Sequence, residues 1–233
     1  MSLKAAVILA AFLSGYPIVS IAMQSSTETA AQNTSIKQTM PWKAWRTDDN
    51  LSVSYRASGV KNLLEIKAQA TLESSIAGFI YFIEDLEKIS SWLDNAESAK
   101  IIKQISANEN VFMTRFKGLW PVSAREMVVH SRYWQNRDLS VEILVQDAGD
   151  TFTQSENTIR MQVINAHWQI TPTKPNQITI SYQFIVDPKG NIPQWLTKPI
   201  TLKGIWTTLN NIRDQLPNSK WQQHTKEHIR ELN

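Results

Sequence analysis

The chain has 233 residues, 42% of them apolar and 19% charged, with a formal net charge of +3. That length bounds it at one or two domains, and the apolar fraction suffices for a buried core. The absence of cysteine excludes disulfides, zinc thiolates, a thiol nucleophile and a lipidated N-terminal cysteine, and no basic run interleaved with aromatics points to nucleic acid.

Residues 1–22 read as a signal peptide. Lys4 gives a small positive region, residues 5–13 are apolar, Gly15 and Pro17 break the run, and Ser20-Ile21-Ala22 ends in small residues. Cleavage after Ala22 is expected. The alternative is a retained membrane anchor, but the breakers make a poor span. Export without disulfides points to a bacterial periplasm. Residues 23–40, rich in Ser, Thr and Gln, read as a polar linker.

A folded domain is expected over 41–217. Residues 51–56 alternate as a strand, Ser58-Gly59 supplies a turn, and 64–72 is the hairpin partner. Ser74-Ser75 then caps a helix carrying Ile76, Phe79, Ile80, Ile83 and Leu86, followed by a turn with Ile89, Trp92 and Leu93. Six strands follow, over about 99–106, 110–116, 126–135, 140–145, 158–170 and 178–186. In the last of these, Ile178, Ile180, Tyr182, Phe184 and Val186 share one face. Asp187-Pro188-Lys189-Gly190 ends it in a turn, and Pro193-Gln194-Trp195-Leu196 leads to a final helix.

That helix is expected over 199–216, with Pro199 in its first turn and Pro217 as its stop. Leu202, Ile205, Trp206, Leu209, Ile212 and Leu216 form its apolar stripe. Eighteen residues give a rod of roughly 27 Å, enough to cross a sheet. Hairpin-length turns imply an antiparallel sheet curled around it, and a rod over a curved sheet encloses apolar space. The nine tryptophans either fill a large core or line such a cavity. Residues 218–233 read as a tail outside the packed pattern. It contains His224-x-x-Glu227-His228, a zinc-peptidase spelling read here as chance composition, since no third ligand can follow it.

Several segments, in order, resemble the StAR-related lipid-transfer (START) domain family of the helix-grip superfamily. Trp42…Trp45-Arg46…Tyr55-Arg56 looks like its opening helix and first strand, and Asp85…Trp92-Leu93 like its short helices. Trp120-Pro121-Val122-Ser123-Ala124-Arg125-Glu126 is similar to its W-P-x-x-x-R-(D/E) segment. Arg160…Trp168-Gln169-Ile170-x-Pro172 resembles a later strand, and Asp187…Gly190…Pro193 its D-x-x-G turn. The resemblance implies an α+β helix-grip fold, a curved antiparallel sheet wrapped around a long C-terminal helix and enclosing a hydrophobic tunnel. The implied function is to bind a lipid there behind the C-terminal helix, and to carry or sense it. The partners are the lipid and, transiently, a membrane surface. The protein is read as a monomer without cofactor or metal.

The candidate cavity and lid residues are Arg115, His130, Arg132, Trp195, Leu202, Trp206 and Leu209. Arg115 shares a strand face with Val111 and Met113, and His130 and Arg132 share one with Val128 and Trp134; each face points either inward or to solvent. Arg125 and Glu126 are read as a structural ion pair at a strand start, and Asp187, Gly190 and Pro193 as structural turn residues. An enzyme of the cyclase or dehydratase kind in the same cavity is the alternative. Few polar groups converge, so binding is preferred and no catalytic residue is assigned.

Overall fold

The computed structural model describes residues 40–60, 62–118 and 120–233. The expected signal peptide and almost all of the linker lie outside the described residues. Ten strands form one sheet: β1 (Lys43–Thr47), β2 (Leu51–Ala57), β3 (Leu64–Glu73), β4 (Ala96–Ser106), β5 (Glu109–Phe116), β6 (Arg125–Gln135), β7 (Val141–Asp147), β8 (Ile159–Arg160), β9 (Gln162–Lys174) and β10 (Gln177–Asp187). Their order is β1-β2-β3-β10-β9-β7-β6-β5-β4. Every pairing is antiparallel except that of β8, which lies parallel to the start of β6.

Among the described residues three α-helices, with short 3-10 turns between elements, complete the fold: α1 (Ile76–Glu84), α2 (Ile89–Trp92) and α3 (Gln194–Gln215). Ser75 caps α1, its hydroxyl oxygen accepting the Gly78 N–H at 3.0 Å. The alternation read over 178–186 fixes the register of β10. Ile180 faces Ala70 of β3 and Ile170 of β9, all buried. On β2 and β3, Leu51, Val53, Ala68 and Ala70 are also buried. The small alanines leave room for α3 to lie close to the sheet. Leu202, Leu209 and Ile212 of that helix, and Leu216 just after it, are at most 1% exposed, and α1 fills the same end with Ile76, Phe79 and Ile80.

Four sequence expectations are corrected. The segment read as an opening helix is the strand β1, because Asp48 accepts the Asn50 and Leu51 N–H groups and turns the chain tightly into a hairpin with β2. The strand expected over 158–170 is broken at Met161, so that Ile159–Arg160 pairs with β6 while β9 runs on to Lys174. Helix α3 starts at Gln194, five residues before the expected Pro199, which lies inside it. Its 22 residues make a rod of about 33 Å.

The fourth correction concerns the tail, which is docked on α1. Glu231 accepts the Ile76 and Ala77 N–H groups at 3.0 and 2.8 Å, satisfying donors that a helix start leaves open. Lys226 pairs with Glu84 at 2.7 Å, and Trp221 stacks on Tyr81. His224 packs edge-on against Tyr81 and Trp221, and no group of three or more metal-ligating side chains is found among the described residues.

Candidate functional site

The two ends of the sheet are filled differently. Where α1 and the second half of α3 meet it, side chains interlock. Beneath the first half of α3 lies a cavity of about 300 Å³. Leu64 and Ile66 of β3, Tyr182, Phe184 and Val186 of β10, Met127 of β6 and Phe116 of β5 form its apolar floor. Thr197, Ile200, Thr201, Ile205 and Thr208 of α3 form the roof. The segment before β6 (Val122, Ser123), the turn after β10 (Pro188, Ile192) and the end of α2 (Leu93, Asp94) close the sides. Tyr182 stacks against Trp168 at 3.9 Å and Phe184 at 4.7 Å, stiffening the floor. Burial pushes its phenol well above the ordinary value.

Charged groups at this cavity are few. Arg125 is 7% exposed and donates three hydrogen bonds, all to backbone carbonyls: Pro188 at 3.0 Å, Ser123 at 2.6 Å and Lys189 at 3.3 Å. It thereby ties the start of β6 to the turn after β10. Gly190 makes that closure possible: its φ is +71°, and a Cβ there would stand 3.2 Å from Ile159 and 3.6 Å from the Arg125 guanidinium. Burial lowers the pKa of Arg125, which stays charged at any physiological pH. Asp94 is the cavity's one carboxylate among the described residues. Its backbone N–H donates to the Thr208 hydroxyl at 3.1 Å, its Oδ2 accepts from Asn95 at 2.6 Å, and burial raises its pKa. Lys198, on the roof helix, donates to the Tyr55 hydroxyl at 2.8 Å and sits over that ring, lowering the Tyr55 pKa.

Glu126, adjacent to Arg125, points the opposite way and does not pair with it. It is fully buried on the outer face of β6, where Oε1 accepts Arg160 at 2.6 Å and the Ser155 N–H at 2.9 Å. Burial alone pushes its carboxyl up; the Ser155 and Arg160 hydrogen bonds outweigh that and hold it below the usual carboxylate range. The expected ion pair is thus replaced by two separate braces on opposite faces.

None of the seven cavity and lid candidates lines the cavity. In β5 and β6 the inward set is Phe116, Arg125 and Met127, so Arg115, His130 and Arg132 fall on the outer face by parity. There Arg115 pairs with Glu97 at 2.9 Å, His130 with Glu109 at 2.6 Å, and Arg132 lies over Trp134. Trp195 is 76% exposed. Leu202, Trp206 and Leu209 are buried in the solid half; Trp206 is wedged edge-on to Trp45 with Arg46 over its face. Asp187 is held by Lys189 at 2.9 Å, and the Pro193 carbonyl accepts the Leu196 and Thr197 N–H groups at the start of α3.

Sequence reasoning missed Met127, Tyr182 and Phe184 as floor, and Asp94 and Lys198 as the polar wall. For β10 the signal was present in the alternation already read. For β6 it was absent, since Met127-Val128-Val129 is apolar on both faces.

A family model described as the START domain matches residues 39–222. A STAR-related lipid transfer protein from Xanthomonas axonopodis superposes with a TM-score of 0.67 at 21% identity, covering 75% of this chain and 98% of that one. Human STARD10 gives 0.66 at 18% identity, covering 75% and 72%. An uncharacterised protein of Pseudomonas aeruginosa is 20% identical over 172 residues, 74% of this chain and 85% of its own length.

Proposed function

The chain belongs to the START domain family, whose members bind lipids and other hydrophobic ligands, and from that premise we propose that it is an exported lipid carrier gated by the first half of α3. The observation that carries the reading is the hollow itself: a domain packed solid at one end leaves about 300 Å³ open over an apolar floor at the other. Protein interiors are ordinarily close-packed, and an apolar void of this size is costly unless something fills it. Each buried methylene contributes about 0.8 kcal/mol, so an acyl chain is a suitable filler.

The roof is built to open. Pro199 has no N–H to donate to the Trp195 carbonyl, which loosens the helix one turn after its start. No side chain caps that start. Beyond Pro199, Leu202 through Leu216 anchor the rest of the rod. Bending at Pro199 lifts 194–198 and exposes the floor while the anchor stays. Trp195 on this lid and Trp120, at 95% exposure beside the lining residues Val122 and Ser123, are large apolar rings facing solvent. Such indoles suit the membrane interface, where a carrier collects and releases its cargo.

An enzymatic role finds less support, because the cavity wall brings no histidine or other nucleophile–base pair together among the described residues. Native mass spectrometry of the purified chain tests the reading. A folded protein carrying one co-purified or added lipid is expected. A folded protein that takes up none, from detergent-free vesicles or from solution, refutes it.

A further inference from the structure

We infer that the ligand is a single-chain amphiphile with an anionic head, and that Arg125 receives that head. The inference rests on the cavity being a ligand site and adds the chemical class of the occupant.

Among the described residues three cations line the cavity: Arg125, Lys117 and Lys198. One acid faces them, Asp94, and its Oδ2 is engaged by Asn95. The other acids close in sequence are committed: Asp187 to Lys189, and Glu126, on the far side of the strand, to Arg160. Lys198 has a neutral hydroxyl as its hydrogen-bond partner. Arg125 is the sharpest case. It is buried, yet its partners among the described residues are carbonyl oxygens alone. Those bonds use three of its five N–H groups and leave one on each terminal nitrogen. A buried cation is costly without an anion, and a guanidinium fork is suited to a carboxylate or phosphate oxygen pair. A choline-like cationic head would meet repulsion on this wall.

Size limits the rest of the molecule. A cavity of about 300 Å³ lies at the small end of ligand pockets, which run from about 300 to 1,000 Å³. A pocket of that size suits one alkyl chain better than two.

The test titrates the full chain with dodecanoate, dodecyl phosphate, dodecanol and inorganic phosphate, followed by calorimetry. Both anionic amphiphiles are expected to bind about tenfold or more tightly than dodecanol, the advantage of a charge-assisted hydrogen bond. Arg125→Gln is expected to erase that preference. Because Arg125 also braces a turn, the double variant Lys117→Met/Lys198→Met is measured on the same series and is expected to lose part of it. Equal binding of dodecanol and dodecanoate, or a folded Arg125→Gln variant that keeps the preference, overturns the anionic-head assignment while leaving the apolar cavity standing. Inorganic phosphate binding as tightly as dodecyl phosphate assigns the site to a free anion and also overturns it. Failure of all three chain compounds to bind refutes the carrier reading itself.

Discussion

The two halves of α3 cover the same sheet under opposite conditions. Residues 202–215 bury Leu202, Leu209 and Ile212 in the core cluster that holds Ala68 and Ala70, while Gly204, Ile205 and Thr208 turn toward the hollow. Residues 194–201 span a gap, roofed by Thr197, Ile200 and Thr201 over Ile66, Tyr182 and Phe184. The first arrangement is held by apolar contact. The second is held by polar braces at its edges: Arg125 on carbonyls inside, Glu126 on Arg160 outside, Lys198 on Tyr55 across the roof. On the carrier reading proposed above, these two arrangements separate holding a greasy guest from releasing it, since a helix interlocked along its whole length has no room beneath it.

The comparison breaks most visibly in the solid half. Trp206→Ala is expected to cost about 3–5 kcal/mol in urea unfolding and to leave lipid affinity unchanged, because the ring fills core and not cavity. A loss of binding in a variant still folded would return Trp206 to the site. Glu126→Gln comes next, at about 3 kcal/mol, by uncoupling a buried pair and stranding Arg160.

Glu126 also carries a pH signature. Its carboxyl is held below the ordinary carboxylate value in the folded chain, so its stabilisation is full above about pH 5 and fades as pH falls through the folded value. Acid unfolding curves of the wild type should steepen in that range, and those of Glu126→Gln should be flatter. Parallel curves would show that the pair does not set acid stability.

Effects in the hollow half should be small in stability and large in exchange. Pro199→Ala restores one backbone hydrogen bond to the lid, a gain of about 1 kcal/mol, and should slow lipid release measured by transfer between vesicles. Unchanged release would place the gate elsewhere. Thr201→Phe fills the hollow from its roof; stability should shift by less than about 1 kcal/mol while lipid uptake in native mass spectrometry disappears.

Much of this architecture was legible in the sequence, and the lost parts share a cause. The alternation of Ile178 to Val186, the capped helix after Ser75 and the apolar stripe from Leu202 to Leu216 are local patterns, and the fold keeps them. Which face of β6 points inward is not local. Met127-Val128-Val129 reads apolar on both faces because segment 148–160 buries Val128 and Glu126 from outside. Arg115, His130 and Arg132, candidates on faces the sequence leaves open, therefore lie outward by parity. Pro199 read as a helix start because a proline is most at home there; Pro193 and its carbonyl bonds to Leu196 and Thr197 set the true start. The tail looked free because its anchors, Ser74, Ile76 and Glu84, lie well over a hundred residues upstream.

Hydrogen exchange along α3, with and without dodecanoate, addresses the division of this helix most directly. Amides of 194–201 should exchange fast in the free protein and slow when the compound is added, while those of 202–216 stay protected throughout. Uniform protection along the whole helix, or a lid whose exchange ignores the added chain, would contradict it.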